Sequence, residues 1–390
     1  MFVVAVLWTA FFLINFNIAM MIPLLPFIQQ GLGLSTYQAG WILAAFPIVA
    51  LVSNLALGPW IDRFGRKRFI VIGAAACGFS FLLTAAADGT VMLLLCRATV
   101  GLFMPMVGAS IFAAIADYVR IEDRARVAGY VTTAAPIAFL LSMSMGFVLG
   151  GLISWRLPLV LVAAVAGLLA GGAACLPPTP PEALSEAPVT RRTYRTRLLS
   201  LSMSVETRRV FLAYFCWSMA VFTFLGLYPT WIVQRGMADY SLKQIGAMLF
   251  LGEVGGLLGA ALSGRLARLH EHPLRVCALA AFATAAIVIV VPFGQGMPAI
   301  EALAYGGFAF GRDMMLALIL GGAMLLVPAA QRGSLNALMN ATYQTGATAG
   351  GLASAWLYGL RPDFTGNATI AAVLLVLSAR SLWLISRMAE

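Results

Sequence analysis

Four charged residues stand out within long apolar stretches of this sequence: Arg97, Glu253, Arg312 and Asp313. An ionisable side chain is costly inside a bilayer, so such residues mark pathways for ions or substrates. A carboxylate shielded from water holds its proton more readily, and a nearby guanidinium opposes this effect. We therefore expect Asp313 or Glu253 to carry a proton, with Arg97 and Arg312 contacting a substrate or tuning the acids. The alternative is that Glu253 and Arg312 form a purely structural salt bridge.

Adjacent side chains on a helix point about 100° apart. We therefore expect Arg312 and Asp313 to face different partners, one a cavity and the other a neighbouring helix. Uncharged polar and aromatic residues in other apolar stretches are candidates to line the same cavity. They are Asn15, Asn17, Trp217, Tyr228, Asn336, Asn340, Tyr343 and Gln344.

Three of these candidates, Asn336, Asn340 and Tyr343, recur at i, i+4 and i+7, which places them on one helical face. Asn15 and Asn17 put amides, not an acid, in the first apolar stretch. This argues against a purely cationic ligand and favours a neutral, zwitterionic or anionic organic molecule. For each residue taken singly, hydrogen bonding between helices is the alternative.

The composition is that of a membrane protein. Of the 390 residues, 61% are apolar and only 10% are charged, and the mean hydropathy is +0.93. Soluble domains average about 25% charged residues, so most of this chain cannot face water. The net charge of +10 is spread over short loops rather than one stripe, and we expect no nucleic-acid partner.

The apolar stretches predict twelve transmembrane helices, because a bilayer core needs about 20 apolar residues per helix. They are continuous and too long for barrel strands. We number the predicted spans one to twelve in chain order. Their limits are 3–27, 38–61, 69–87, 91–117, 127–153, 156–176, 209–234, 243–266, 275–293, 298–327, 333–359 and 367–387.

A proline-rich and then basic segment, residues 177–207, separates six spans from six. We expect a domain of residues 1–176, a cytoplasmic linker of residues 177–207 and a domain of residues 208–390. The two halves echo each other weakly, which fits an internal repeat. The linker is predicted to be a flexible tether with an interfacial helix; a regulatory site is the alternative.

The distribution of Lys and Arg predicts the topology. If both termini are cytoplasmic, only Arg156, Arg235, Lys243 and Arg361 fall in external loops, and most other cations lie inside. This bias satisfies the positive-inside rule. The first apolar stretch lacks a basic leader and a cleavage site, so we expect a retained span and not a signal peptide. A longer natural N-terminus stays open.

Several kinds of chemistry have no sequence support. The cysteines form no CxxC pair and read as small buried apolar residues. There is no phosphate-binding GxxxxGK[ST] loop, which argues against an ATP-driven pump. His270 and His272 lie together in a loop, with no apparent Ser/His/Asp set. We expect neither an enzyme nor a cofactor or metal site.

The segment GPWIDRFGRKR, residues 58–68, resembles the loop between spans two and three of the major facilitator superfamily, G-x-x-x-D-R-x-G-R-[KR]. Arg97 with Gly101 is similar to a second signature of that family, in span four. A third resemblance follows span four. It comprises Asp117, Asp123, Arg124, Arg126 and Gly129.

This resemblance implies an all-α membrane protein of two pseudo-symmetric six-helix bundles, with spans one, four, seven and ten lining a central cavity. It also implies a latch between the halves that steadies the outward-facing state. The latch residues would be Gly58, Asp62, Arg63, Gly65, Arg66 and Lys67. The alternative is that these charges only fix the topology.

Residues 142–156, SMSMGFVLGGLISWR, are similar to the span-five element of twelve-span drug–proton antiporters, but the usual proline is absent. The resemblance implies a monomer in the bacterial cytoplasmic membrane that couples protons to efflux of a small organic molecule by alternating access. The alternatives are an importer, a uniporter or an exporter for a siderophore or other specific metabolite. A membrane scaffold or receptor is a third class.

Overall fold

The computed structural model describes residues 1–178, 204–236, 240–268, 273–294, 297–327 and 332–387. Within those ranges the regular structure is entirely helical. Spans one to six are formed by the helices Phe2–Leu32, Thr36–Phe64, Arg66–Ala85, Thr90–Tyr118, Arg124–Thr132 with Ala134–Leu152, and Arg156–Ala174. Spans seven to twelve are formed by Val205–Leu225 with Tyr228–Gly236, Leu242–Ala267, Pro273–Val290, Pro298–Leu325, Arg332–Leu360 and Thr365–Ser386.

Helices therefore occur at all twelve predicted positions. Eleven spans of the described chain are long and apolar enough to cross a membrane. The remaining helix, Arg332–Leu360, has 29 residues but is more polar, since it carries the amides of Asn336, Asn340 and Gln344. Two spans are interrupted, span five at Thr133 and span seven around Gly226.

Capping explains one difference from the predicted limits. Span seven begins at Val205, four residues before its predicted start, because the Ser204 hydroxyl accepts a hydrogen bond from the Thr207 amide. Such an N-cap satisfies a backbone donor that the first helical turn leaves without a partner. The helix can therefore extend beyond the apolar stretch into polar sequence.

Large apolar side chains cover much of the outer surface. Phe79, Leu168 and Leu303 are 64%, 75% and 76% exposed. Exposure on this scale is unfavourable in water and favourable in lipid, where the hydrocarbon chains are as apolar as the side chains. The surface therefore agrees with the composition in assigning the chain to a membrane.

The chain folds as two compact units. The first unit comprises Met1–Leu34 and Ala45–Val189, and the second comprises Ser35–Ala44 and Thr190–Glu390. The start of the span-two helix is thus grouped with the second unit, unlike in the predicted division. Most of the predicted linker, residues 177–207, lies outside the described residues, as do His270 and His272.

In the first unit, span three packs on spans four and six, and span one packs on the second helix of span five. The turn between spans two and three is a single residue, Gly65, with a φ of 89°. Residues with a side chain rarely adopt a positive φ of this size, whereas glycine adopts it without a steric penalty. Gly65 therefore allows two long helices to follow each other almost directly.

In the second unit, span eight packs on span ten, span seven on span eleven, and span twelve on spans seven and nine. Spans eight and ten approach each other closely at Gly255 and Gly259, where Cβ atoms would lie 2.3 and 2.1 Å from the carbonyl oxygens of Gly306 and Phe310. Small residues are the usual means of close helix packing in membranes. This close approach brings Glu253 of span eight next to Arg312 and Asp313 of span ten.

Candidate functional site

Spans eight and ten enclose a buried ion cluster of Glu253, Tyr305, Arg312 and Asp313. Arg312 Nη1 and Nη2 donate to Glu253 Oε1 and Oε2 over 3.1 and 2.7 Å. Its Nε and Nη2 donate to Asp313 Oδ1 and Oδ2 over 2.7 and 2.8 Å. The Tyr305 hydroxyl donates to Glu253 Oε1. One guanidinium therefore binds both carboxylates through both oxygens of each.

The glycines of span eight provide the room for this cluster. A Cβ atom on Gly256 would lie 2.4 Å from Asp313 Oδ2 and 3.1 Å from Arg312 Nη2. Gly256 follows Glu253 by three residues, so both lie on the helix face toward span ten. The expectation that Arg312 and Asp313 would face different partners is wrong. Arg312 is long enough to fold back along its own helix to Asp313, and both side chains contact span eight.

The charges of the ion cluster do not balance. Two carboxylates face one guanidinium, so the cluster carries an excess negative charge when both acids are ionised. The side chains of Glu253 and Arg312 are 1% and 2% exposed, whereas that of Asp313 is 12% exposed. An excess charge away from water is costly. Binding one proton at either acid would remove it.

Arg97, in the first unit, has different surroundings. Its Nη1 donates to Asn17 Oδ1 over 2.8 Å, and its guanidinium carbon lies 5.1 Å from the centre of the Phe46 ring. Gly101, one turn further along span four, permits this geometry, because a Cβ atom there would lie 2.5 Å from the Phe46 carbonyl oxygen. Within the described residues, Arg97 Nε and Asn17 Nδ2 have no hydrogen-bond partner.

Four predicted cavity residues, in spans seven and eleven, form an aromatic pair and an amide pair. Trp217 is stacked on Tyr214, with ring centroids 5.4 Å apart, and lies 6.2 Å from Tyr343. Gln344 Nε2 is 3.5 Å from Asn340 Oδ1. In the part of the chain that the structure describes, Trp217 Nε1 and Gln344 Oε1 are buried without a hydrogen-bond partner.

The other predicted cavity residues lie apart from this group. Asn15 donates to the Phe11 carbonyl of its own helix over 2.8 Å. Tyr228 is stacked on Tyr305, with ring centroids 5.1 Å apart, and so borders the ion cluster. Asn336 is exposed.

Two of the predicted latch residues hold the loop between spans two and three against its own unit. Arg66 Nε lies 3.2 Å from Asp117 Oδ2 at the end of span four, and both side chains are nearly buried. Lys67 Nζ donates to the Leu176 carbonyl over 2.5 Å. Leu176 lies two residues beyond the end of span six, so a cation here also complements the negative end of that helix.

The remaining latch residues lie in the last turns of span two and in the turn that follows it. Gly65 is buried in the turn between spans two and three. The Arg63 guanidinium lies 5.4 Å from the centre of the Phe64 ring, and both side chains are exposed. Gly58 and Asp62 lie in the helix Thr36–Phe64, and the surroundings of Gly58 and the side chain of Asp62 are outside what the structure describes.

The structure contains a buried ion pair that the sequence analysis does not predict. Arg235, in the last turn of span seven, binds Glu301 in the first turn of span ten over 2.6 Å, and the Glu301 side chain is 5% exposed. The guanidinium also lies 4.5 Å from the centre of the Trp231 ring. Glu301 lies within the predicted limits of span ten and could have been found there. Arg380 in span twelve was also overlooked, and it is exposed.

Comparisons with known proteins assign the family. The family model described as Major Facilitator Superfamily matches residues 7–328. The chain is 28% identical over 378 residues to the MFS-type transporter YceJ of Bacillus subtilis (strain 168), covering 95% of this chain and 93% of that protein. It is 33% identical over 165 residues to Multidrug resistance protein 1 of the same organism, covering 42% of each chain.

A solved structure shares the fold over nearly the whole chain. The D-xylose–proton symporter superposes with a TM-score of 0.78 at 17% sequence identity, covering 98% of this chain and 97% of that one. Likeness at this identity concerns the fold alone. Together with the family match, it confirms the predicted all-helical transporter fold. The chain belongs to the major facilitator superfamily, and it is a multi-pass membrane transporter and not an enzyme.

Proposed function

We propose that this protein is a proton-coupled exporter of a small organic molecule that works by alternating access. The observation that carries the proposal is the buried ion cluster, in which two carboxylates share one guanidinium. One proton bound at either acid would make the ion cluster neutral, and ionisable groups of this kind inside a membrane commonly belong to proton pathways. The similarity to Multidrug resistance protein 1 supports the outward direction.

Asp313 is the proton carrier in this proposal. Glu253 accepts three hydrogen bonds, two from Arg312 and one from Tyr305, so its oxygens are the more fully engaged. Among the described residues, Asp313 accepts side-chain hydrogen bonds from Arg312 alone, and its side chain is the more exposed of the two acids. A proton on Asp313 leaves Arg312 and Glu253 as a neutral pair and weakens the hold of Arg312 on Asp313.

We assign the substrate contacts to residues other than Arg312, because the Arg312 guanidinium already donates hydrogen bonds to both acids. Trp217 and Tyr343 offer aromatic faces, and Trp217 Nε1 and Gln344 Oε1 offer a donor and an acceptor that have no hydrogen-bond partner among the described residues. Buried polar atoms without a partner are costly, so a ligand that pairs with them gains affinity. We also assign Asn340 to this contact surface.

The predicted latch and topology complete the proposal. Arg66 and Lys67 tie the loop between spans two and three to spans four and six. This rigid base would let Gly58, Asp62 and Arg63 steady one state of the cycle. Both termini face the cytoplasm of a bacterial cell, and the transporter acts as a monomer in the inner membrane.

The sign of proton movement tests the proposal. Purified protein is reconstituted into liposomes that contain a pH-sensitive dye, with no imposed pH gradient. Organic carboxylates, zwitterions and neutral aromatic compounds are then added outside, one at a time. An antiporter releases internal protons as substrate enters, so the interior becomes alkaline whichever way the protein is inserted.

Other outcomes contradict the proposal and identify the alternative. Acidification of the interior on substrate entry would indicate a symporter. Entry of radiolabelled substrate without any change of internal pH would indicate a uniporter. If no compound enters, the protein is not a transporter of this substrate class.

A further inference from the structure

The first unit contains a buried cation without a counter-ion among the described residues. Arg97 and Asn17 are 4% and 1% exposed, and the Arg97 contacts are the Asn17 amide oxygen and the Phe46 ring. Neither contact carries a negative charge. A buried guanidinium is normally paired, because removing it from water is otherwise costly.

Arg312 provides an internal comparison. That guanidinium is buried to a similar degree, and it makes four hydrogen bonds to two carboxylates. Within the described residues, Arg312 is therefore paired with two carboxylates, whereas Arg97 is paired with a neutral amide. At position 17, an aspartate would differ from the asparagine only in one side-chain group and would complete the pair.

The unsatisfied atoms around Arg97 are all hydrogen-bond donors. Arg97 Nε and Asn17 Nδ2 are both buried and have no acceptor within the described part of the chain. The Asn17 acceptor, Oδ1, is already bound to Arg97 Nη1. A group that satisfied this site would need to supply acceptor atoms and a negative charge.

We propose that Arg97 and Asn17 form a subsite for the carboxylate of the transported molecule. The two oxygens of a carboxylate match the planar guanidinium, and this pairing is stronger than one between neutral groups. The Asn17 amide donates to the same oxygens. The inference rests on the proposed function and narrows its substrate class to organic carboxylates, including zwitterions.

Thermal unfolding of the full chain in detergent tests the subsite without transport or a proton gradient. Sodium benzoate is the probe, and benzamide is its neutral counterpart of the same shape, both at constant ionic strength. We expect benzoate to raise the melting temperature in a saturable manner and benzamide to leave it unchanged. A ligand that binds only the folded state shifts unfolding by mass action.

Two variants at one position separate charge from shape. Asn17→Asp supplies a built-in counter-ion, so we expect a higher melting temperature than for Asn17→Ala and a complete loss of the benzoate shift. Asn17→Ala keeps the unpaired cation, so the benzoate shift persists with a several-fold higher half-saturating concentration. Arg97→Gln removes the cation and also loses the shift.

Either of two results would overturn the inference: equal responses of the wild-type protein to benzoate and benzamide, or a benzoate shift that survives in Asn17→Asp. Size-exclusion chromatography verifies that each variant is folded. Failure of this test leaves the proton measurement in liposomes unaffected, because the thermal assay contains no coupled step. The two proposals can therefore fail separately.

Discussion

The two buried arginines of this chain have opposite charge balances. Arg312 lies between two acids in the second unit, whereas the neighbours of Arg97 in the first unit are an amide and an aromatic ring. With both acids ionised, and within the described residues, the first arrangement has an excess of negative charge and the second an excess of positive charge. These opposite balances are the basis on which we propose a proton site at the ion cluster and an anion subsite at Arg97.

Asp313→Asn and Glu253→Gln should have different effects. Asp313→Asn removes the excess charge and leaves Arg312 and Glu253 as a neutral pair, so we expect a stable protein that exchanges substrate without moving protons. Glu253→Gln weakens charged hydrogen bonds from Arg312 and Tyr305, and we expect the free energy of unfolding to fall by about 1.5–3 kcal/mol. Thermal unfolding and the internal pH of liposomes measure the two effects.

Glu301→Gln is the matched control, because Glu301 is a buried acid of the same helix as Asp313 that pairs with Arg235 outside the ion cluster. This variant should lose stability and retain proton movement. Proton movement by Asp313→Asn at the wild-type rate would show that Asp313 is not the carrier.

At the scale of the helix, the close approach of spans eight and ten holds the ion cluster together. The backbones meet at Gly255, and the ion cluster fills the space beside Gly256. Because backbone atoms cannot move aside as a flexible side chain can, any added side chain at Gly255 must separate the helices. Separation would lengthen the bonds between Arg312 and Glu253.

Gly255→Ala should therefore be destabilising, whereas Gly264→Ala should not. Overpacking of this kind costs about 1–3 kcal/mol, and we expect both a lower melting temperature and weaker proton coupling. A Cβ atom on Gly264, in the same helix, would meet nothing within 4 Å. Alanine there should be neutral or stabilising by up to about 1 kcal/mol, because it favours the helix. Equal melting temperatures for the two variants would refute the close packing.

At the scale of the whole molecule, the placement of the cysteines offers a test of topology. Cys175 is exposed at the end of span six, whereas Cys77, Cys96, Cys216 and Cys277 are buried. Thiols inside the protein react slowly with polar reagents. Cys175 therefore reports which side of the membrane the sixth span ends on.

A maleimide that cannot cross membranes should label inside-out vesicles and not intact cells. This result is expected from the proposed positive-inside topology, in which both termini and the end of span six would lie in the cytoplasm. Cys175→Ala is the control and should abolish labelling. Strong labelling of Cys175 in intact cells would invert the proposed topology.

The sequence by itself determined the class of protein, the number of spans and the family. Long apolar stretches must form helices in lipid, since no other backbone structure in such segments satisfies its own hydrogen bonds. The motif at residues 58–68 and the match over residues 7–328 then identify the same family. These properties depend on local composition and order, and tertiary structure does not alter them.

Only the tertiary structure decided how the buried charges are paired. From the sequence, Arg97 and Arg312 are equal candidates for substrate contact, and the adjacency of Arg312 and Asp313 predicts that the two face different partners. The rotation of spans eight and ten, and the space left by Gly256, bring both acids to Arg312 and leave Arg97 with Asn17. Helix rotation depends on the packing of many small side chains along the whole interface, which the spacing of charged residues does not encode.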